Sequence, residues 1–398
     1  MTPSRPLALL GARPRIDRSE WPSWPPRRAE FKAALEKVLA DDQWGLGSDA
    51  VSQFEAAFAA AHDATYCLSL ANGTVALYAA LAALDIRPGD EVIVPAYTFM
   101  ASVSAVLRAG ATAVLADIDP LTFNLDPEDT ASRINGRTRA IMPVHIGGNP
   151  ADMDRFLSLG SEHGLAVIED AAQAHGAIYG GRKVGAQGLA GTFSFQSSKN
   201  MTAGEGGALL TNDHAFYEKV YELANCGRTP EGPAFMHLSA GLNLRLSAFQ
   251  AAVLNAQLEP FESEAELRES NGRFLEEALN GIPGIRCAGR YARTGRNAYH
   301  LLIFRYDPGA FAGLPKTRFL EALMAEGVVA TDGYRPLQEL PFVNHTGAPL
   351  PVTEQLCRDQ VWLRQFELLA DRPLLERLVE AIQAIQAHAD LLLEAPHD

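Results

Sequence analysis

The chain has 398 residues, enough for one large folded unit and a smaller one, and its 47% hydrophobic and 21% charged residues match an ordinary globular enzyme rather than a disordered chain. A net charge of -14 with no Lys/Arg-dense run argues against nucleic-acid binding, which needs a cationic patch. No apolar run nears the roughly eighteen residues of a membrane span, and Leu7–Ala12 is too short for a signal-peptide core. The four cysteines, Cys67, Cys226, Cys287 and Cys357, have no ligand or paired spacing, so the expected setting is reducing and cytoplasmic.

In chain order, residues 1–28 read as an arm. The run Trp21-Pro22-Ser23-Trp24-Pro25-Pro26 cannot be a helix interior, because each proline lacks a donor and clashes with the preceding turn. Its tryptophans predict that the arm packs on its own domain or on a second subunit. Short apolar runs then recur at Tyr66–Ala71, Glu91–Ala96, Thr112–Ile118, Arg139–His145, Ala166–Ala171, Gly191–Phe195 and Gly207–Asn212, with helical stretches such as Thr74–Leu84 and Ala101–Ala109 between early ones. Near-continuous apolar strands alternating with helices predict an α/β domain with a mainly parallel sheet covered on both faces. The last two runs are joined too tightly for a crossover helix, so part of the sheet is expected to be antiparallel. Pro260, after the patterned segment Leu246–Leu258, marks the expected boundary between a large domain over 29–259 and a small one over 260–398. The small domain is expected to hold a strand at Tyr299–Tyr306 and a closing helix at Pro373–Leu393.

Three strand ends carry chemistry. In Gly191-Thr-Phe-Ser-Phe-Gln-Ser-Ser-Lys199, a strand ends at a polar turn, presents one lysine and runs into the glycine-dense loop before Gly207. An amine nucleophile must have its charge suppressed, and this placement suits a covalently held aldehyde cofactor; the alternative is a surface lysine in a loop. The strand Ala166-Val-Ile-Glu-Asp170 ends in a carboxylate that could hold a pyridine nitrogen protonated, as the electron-sink chemistry of pyridoxal 5′-phosphate requires; the alternative is a helix cap. Strand-end ligand sites are the rule for open α/β sheets. Asn72-Gly73-Thr74 opens a helix whose free amides suit a phosphate, or it is a plain N-cap. Phe99, at a further strand end, could lie against a flat cofactor or belong to the core.

In this order and at these separations the motifs resemble the fold type I, pyridoxal phosphate-dependent aminotransferases of the DegT/StrS family, from about Trp44 to Tyr334 and most densely over Phe193–Lys199 and Thr202–Gly207. The resemblance implies a mostly parallel seven-stranded sheet with helices on both faces and a smaller C-terminal α+β domain. Lys199 would carry the cofactor covalently and shuttle the proton. Asp170 would pair with the ring nitrogen, Gln173 would bond the phenolic oxygen, and Phe99 would stack on the ring. Gly73, Thr74 and Ser194 would hold the phosphate, joined by Asn243 from the neighbouring subunit of a homodimer. Tyr334, in Tyr-Arg-Pro-Leu337, resembles a substrate-facing element, but Gln338 stands where the family usually has His, so no substrate role is carried over. Lys199 itself argues for transamination, since dehydrating relatives replace it with His.

Gln196 before the lysine turn, with Met201-Thr-Ala-Gly-Glu-Gly-Gly207, resembles the branch acting on carbocycles. The expected function is transfer of an amino group from glutamine or glutamate to a keto-cyclitol or keto-sugar in antibiotic biosynthesis. The alternatives are a 3-amino-5-hydroxybenzoate synthase-like dehydratase and a non-catalytic regulatory protein that kept the pocket. The absence of GxxxxGK[ST] or a strand-placed GxGxxG motif argues against P-loop and dinucleotide chemistry. His145 is read as a turn histidine or a pocket residue, His175 as a neighbour of Asp170, and Cys226 as inert. No ligand-spaced cluster suggests a metal.

Overall fold

The computed structural model describes residues 6–26, 28–233, 235–343 and 347–395. Its central sheet is built from β1 (Tyr66–Leu70), β2 (Glu91–Pro95), β3 (Thr112–Ala116), β4 (Thr138–Ile141), β5 (Ala166–Asp170), β6 (Ala190–Ser194) and β7 (Gly207–Thr211). These are the seven apolar runs of the sequence, and they lie in the order β1-β7-β6-β5-β4-β2-β3. Six strands run the same way. Only β7 is reversed, pairing antiparallel with β1 and β6, with Gly207 opposite both Leu70 and Ser194. The strands stop short of the expected ends at Ile118 and His145, because the chain leaves the ladder there to form the turns of the site edge.

Strand alternation divides the core. On β5, Val167 points into a layer with Phe54 and Phe58 of α2 (Asp49–Ala61), Phe156 of α6 (Met153–His163) and Leu254 of α8 (Ala248–Asn280). Ile168 points the other way, toward Ala76 and Ala79 of α3 (Gly73–Ala82) and Phe216 of α7 (His214–Ala224). Val103 and Val106 of α4 (Ala101–Arg108) pack on that second face against Val92 and Val94. Burying both faces is what makes these strands read as continuous apolar runs.

Pro260, the position expected to divide the domains, lies inside α8. This helix spans 33 residues, roughly 50 Å. A proline there removes one backbone donor. The helix survives because Ser247 and Gln250 form a capping box at its start and because it is buried at both ends, Leu254 and Phe261 in the sheet core and Leu275 and Leu279 in a second core. The chain thus passes between two cores within one helix.

That second core surrounds an antiparallel sheet of β8 (Ile285–Cys287), β9 (Leu301–Tyr306) and β10 (Gln360–Arg364). It is packed by α9 (Lys316–Ala325) and α11 (Arg372–Ala387). The single closing helix expected over 373–393 is two helices, α11 and α12 (Ala389–Glu394), meeting at His388, whose φ of -118° leaves the helical region. The N-terminal arm packs on this unit of its own chain. Leu7, Ile16 and Trp21 are buried in its core, and the carboxylate of Glu326 accepts the amides of Ala8 (2.7 Å) and Arg15 (2.9 Å).

Candidate active site

Because β1 to β6 are parallel, their C-terminal ends share one edge of the sheet, and the chemistry-bearing residues of the sequence gather there. α3 begins at this edge. Asn72 caps it through Oδ1, which accepts the amide of Val75 at 3.0 Å, and the first turn holds no acidic residue. Such a terminus attracts anions through its amides and the helix dipole. Gly73 lies against Ser194 at the end of β6, where a Cβ on residue 73 would come within 2.8 Å of the Ser194 Cβ. Glycine is therefore required for the close approach that puts the Gly73 and Thr74 amides beside the Ser194 hydroxyl.

Two neighbouring acids at the end of β5 have opposite surroundings. Glu169 accepts the amides of Gly185 (2.7 Å), Gln187 (2.7 Å) and Gly188 (2.8 Å) and pairs with His145 Nε2 at 3.0 Å. Burial acts upward on its pKa, but His145 and the amides bring it below the usual carboxylate range. Asp170, pointing to the opposite face, accepts, among the described residues, only the Ser102 hydroxyl (2.8 Å) and the Ala172 amide (3.2 Å). Burial pushes its pKa up, against the pull of Ser102, Ala172 and Lys199. A buried carboxylate so sparsely paired gains from a cationic partner, which a protonated ring nitrogen would supply.

Lys199 follows the end of β6. Its amine is crowded by the protein, and desolvation lowers its pKa from 10.5 to about 8, although the negative charge of Asp170 acts upward. A free amine is thereby available near neutral pH, which a nucleophile or proton carrier needs. Its Nζ lies 3.5 Å from Nε2 of His300. The donor set of helix terminus, Ser194, Lys199 and Asp170 fits an anionic aldehyde cofactor with a basic ring nitrogen.

Gln173 sits over the same edge. Its Oε1 accepts the Gly147 amide at 2.8 Å and its Nε2 donates to the Tyr334 hydroxyl at 3.1 Å. Gly148 makes that contact possible, because a Cβ there would meet the backbone of Tyr299 and of Gln173 within 3.0 Å. Phe99 is 53% exposed, facing Tyr334 with ring centroids 6.3 Å apart, so it is not a core residue. Tyr334 is held from below by Trp362, at 4.5 Å between centroids. Asn243 lies on an exposed segment bridged to Asn225; its neighbour Leu244 accepts the amide of Ala71 at 2.7 Å, and no described hydrogen bond brings Asn243 to the phosphate-type groups of its own chain.

His145 does not line the edge. It is fully buried and serves Glu169 and the Ala151 amide. His175 packs its ring on Phe193 and Phe195. Both side-chain amide atoms of Gln338 are buried without a hydrogen-bond partner among the described residues. Among those residues, no group of His, Cys, Asp and Glu could hold a metal ion. Sequence reasoning missed Ser102, Asn200 and His300. Ser102 was within reach, since it is the second residue of the helix after a site-edge strand, but His300 lies 101 residues from Lys199 with no periodic signal to connect them.

The model of the DegT/DnrJ/EryC1/StrS aminotransferase family matches residues 25–383. The chain is 37% identical over 386 residues to a 3-amino-5-hydroxybenzoate synthase of Amycolatopsis mediterranei (strain S699), covering 93% of this chain and 98% of that one. It is 38% identical over 389 residues to an L-glutamine:scyllo-inosose aminotransferase of Streptomyces griseus, covering 94% and 91%. The crystal structure of a 3-amino-5-hydroxybenzoic acid synthase superposes with a TM-score of 0.86 at 36% identity, covering 94% of this chain and 99% of that one.

The depressed pKa of Lys199 predicts its reactivity. In the cofactor-free chain, acetylation of Lys199 should rise with pH along a limb centred near 8, because only the unprotonated amine reacts. Peptide mass spectrometry across a pH series checks this, and a limb near the ordinary 10.5 would show that the amine is not desolvated.

Proposed function

The chain belongs to the DegT/DnrJ/EryC1/StrS aminotransferase family and is a pyridoxal 5′-phosphate-dependent aminotransferase of fold type I, and from that premise we propose that it moves an amino group from glutamine or glutamate to a keto-cyclitol. The observation that carries the residue assignment is the pair brought to one sheet edge, a desolvated Lys199 amine that feels the charge of a sparsely paired Asp170 carboxylate. In this reading Gly73 and Thr74 give backbone amides, and Ser194 its hydroxyl, to the cofactor phosphate. Asp170 holds a proton on the ring nitrogen, Gln173 donates to the phenolic oxygen, and Phe99 covers the ring. When bound, the cofactor supplies the electron sink for a carbanion. Lys199 holds the aldehyde at rest; once freed, its amine takes the proton from the α-carbon of the amino donor and returns one to the acceptor side.

The cyclitol assignment, with its place in antibiotic biosynthesis, rests on likeness to the scyllo-inosose aminotransferase and on Gln196 before the lysine turn. A second reading is a synthase of 3-amino-5-hydroxybenzoate, favoured by the equally extensive match to that enzyme. A homodimer belongs to the same proposal. Phe235 is 89% exposed and Met236, Leu238 and Leu242 stand near it on the loop that leads to Asn243, an apolar run that needs a cover. Asn243 would then reach the partner's phosphate site. A cytoplasmic location fits the four unpaired cysteines, and no helix among the described residues is long and apolar enough to cross a membrane.

Lys199→Ala should abolish turnover and the cofactor adduct trapped by borohydride, while Asp170→Asn should slow α-proton removal by at least about 100-fold with the fold intact. Wild-type rates in either variant would overturn the assignment. The substrate readings separate in one assay. A keto-cyclitol with glutamine should yield an amine, whereas an ultraviolet-absorbing aromatic product formed without any donor would favour the synthase. Sedimentation should give a two-chain mass, and Asn243→Ala should weaken cofactor retention roughly 10-fold, the scale of one hydrogen bond to a charged group; a monomer with full activity would exclude shared sites.

A further inference from the structure

His300 enters the active site from the other core. It immediately precedes β9, and its own contacts and those of Tyr299 fix it. Its carbonyl accepts the Gln365 amide at 3.2 Å. The residue before it, Tyr299, has a positive φ of 47°, a conformation that costs a non-glycine residue energy and persists only where the surroundings impose it. The Tyr299 ring lies on α8 where Gly272 makes room, since a Cβ there would come within 2.2 Å of the ring. The His300 ring itself is held by Asn200, the neighbour of Lys199, with Nδ1 and Oδ1 3.3 Å apart.

These contacts also settle which ring nitrogen carries the proton. The Asn200 Nδ2 donates to the Ala298 carbonyl at 2.7 Å, so its Oδ1 must be the atom facing His300. An oxygen acceptor there requires the proton on Nδ1. The Nε2 lone pair is left pointing at Nζ of Lys199, 3.5 Å away. Burial, with the positive charges of Lys199, Arg268 and Arg364, holds His300 neutral, well below the usual histidine range. His300 therefore cannot take the proton from Lys199 for itself, but it can accept a hydrogen bond from it.

We propose that His300 is a positioning residue for Lys199: its Nε2, fixed as an acceptor by Asn200, binds one N–H of the amine whenever that amine is not bonded to cofactor, and so aims the nitrogen's remaining valences at the reacting carbon. The proposal rests on the assignment of Lys199 above. A four-bond lysine side chain has many rotamers, and an acceptor that removes most of them raises the fraction of time spent in reacting geometry. The arrangement also makes proton transfer depend on the docking of the two cores, because β9 brings His300 and β6 leads to Lys199.

The test compares His300→Phe, which keeps the ring volume and removes the acceptor, with His300→Gln, which keeps an acceptor of similar reach. In the full-length chain freed of cofactor, a neutral acceptor favours the ammonium form, so its loss lowers the pKa of Lys199. The pH limb for acetylation of Lys199 should move below the wild-type position in His300→Phe and stay near it in His300→Gln. The other groups that face this pair, Asp170 at the end of β5, His175 beyond it, Arg268 of α8 and Arg364 of β10, are the same in both variants. In the loaded enzyme, exchange of the donor's α-proton with solvent, followed by proton NMR, should slow roughly 10- to 100-fold in His300→Phe, with the donor KM little changed, and recover most of that loss in His300→Gln. A His300→Phe limb and exchange rate equal to wild type would overturn the proposal, as would equal losses in both variants. If His300→Phe does not fold, Asn200→Ala, which frees the histidine tautomer, must give a partial slowing of exchange for the proposal to stand. Borohydride trapping in the wild type reports separately on Lys199: another lysine trapped would remove the catalytic assignment, while the limb measured without cofactor would still report the His300 contact.

Discussion

Parallel alignment of β1 to β6 is the constraint on which the rest of the molecule depends. Parallel strands end together, so residues separated by more than a hundred positions in the chain arrive at one edge. The exception, β7, is as consequential as the rule. It runs backward between β1 and β6 and starts at Gly207, opposite both Leu70 and Ser194. That start allows α3 to begin flush against the end of β6, which is how Gly73 comes to touch Ser194. An anion-attracting helix terminus and the strand that leads to Lys199 are thus set side by side by a single reversed strand.

Electrostatics then decide what the assembled groups can do. Glu169 and Asp170 are adjacent and chemically almost the same, yet strand alternation sends them to opposite faces. One meets three backbone amides and His145 and is fully satisfied. The other meets a serine and one amide and remains short of positive charge. The first holds the turns of the edge in place; the second is left available to a cation. The same desolvation that raises Asp170 lowers Lys199, so burial acts on acid and amine together, disfavouring the charged form of each.

The second core contributes more than bulk. Through α8 it is continuous with the sheet domain, and through Tyr334, Trp362 and His300 it reaches the site edge. The arm is tied into both regions. Trp21 donates to the Gly327 carbonyl at 2.8 Å, while Trp24 donates to the Ser197 carbonyl at 3.0 Å, two residues before the lysine. The turn that presents Lys199 is accordingly braced from outside the sheet as well as from within it.

Much of this was legible in the chain. All seven strands of the sheet stand out as short apolar runs, because burial on both faces keeps most of their positions apolar, and the strand-end lysine, carboxylate and Asn-Gly-Thr turn follow from chemistry that needs those residue types at those places. What could not be read was any relation set by packing between distant segments. Pro260 marks a domain boundary in the sequence but gives no sign of the helix that runs through it, since local propensity says nothing of two cores gripping one helix. The arm's tryptophans announced burial without a partner. His300 carried no signal, because its meaning lies in a hydrogen-bond chain through Asn200 and Ala298 and in a strained turn at Tyr299. The sequence by itself determined the strands, the fold class and the presence of a lysine and a carboxylate near neighbouring strand ends, since periodicity and residue type are local properties. Tertiary structure alone decided which acid stays free, which nitrogen of a histidine faces the lysine and where the arm docks, since these depend on distances between segments that only folding brings together.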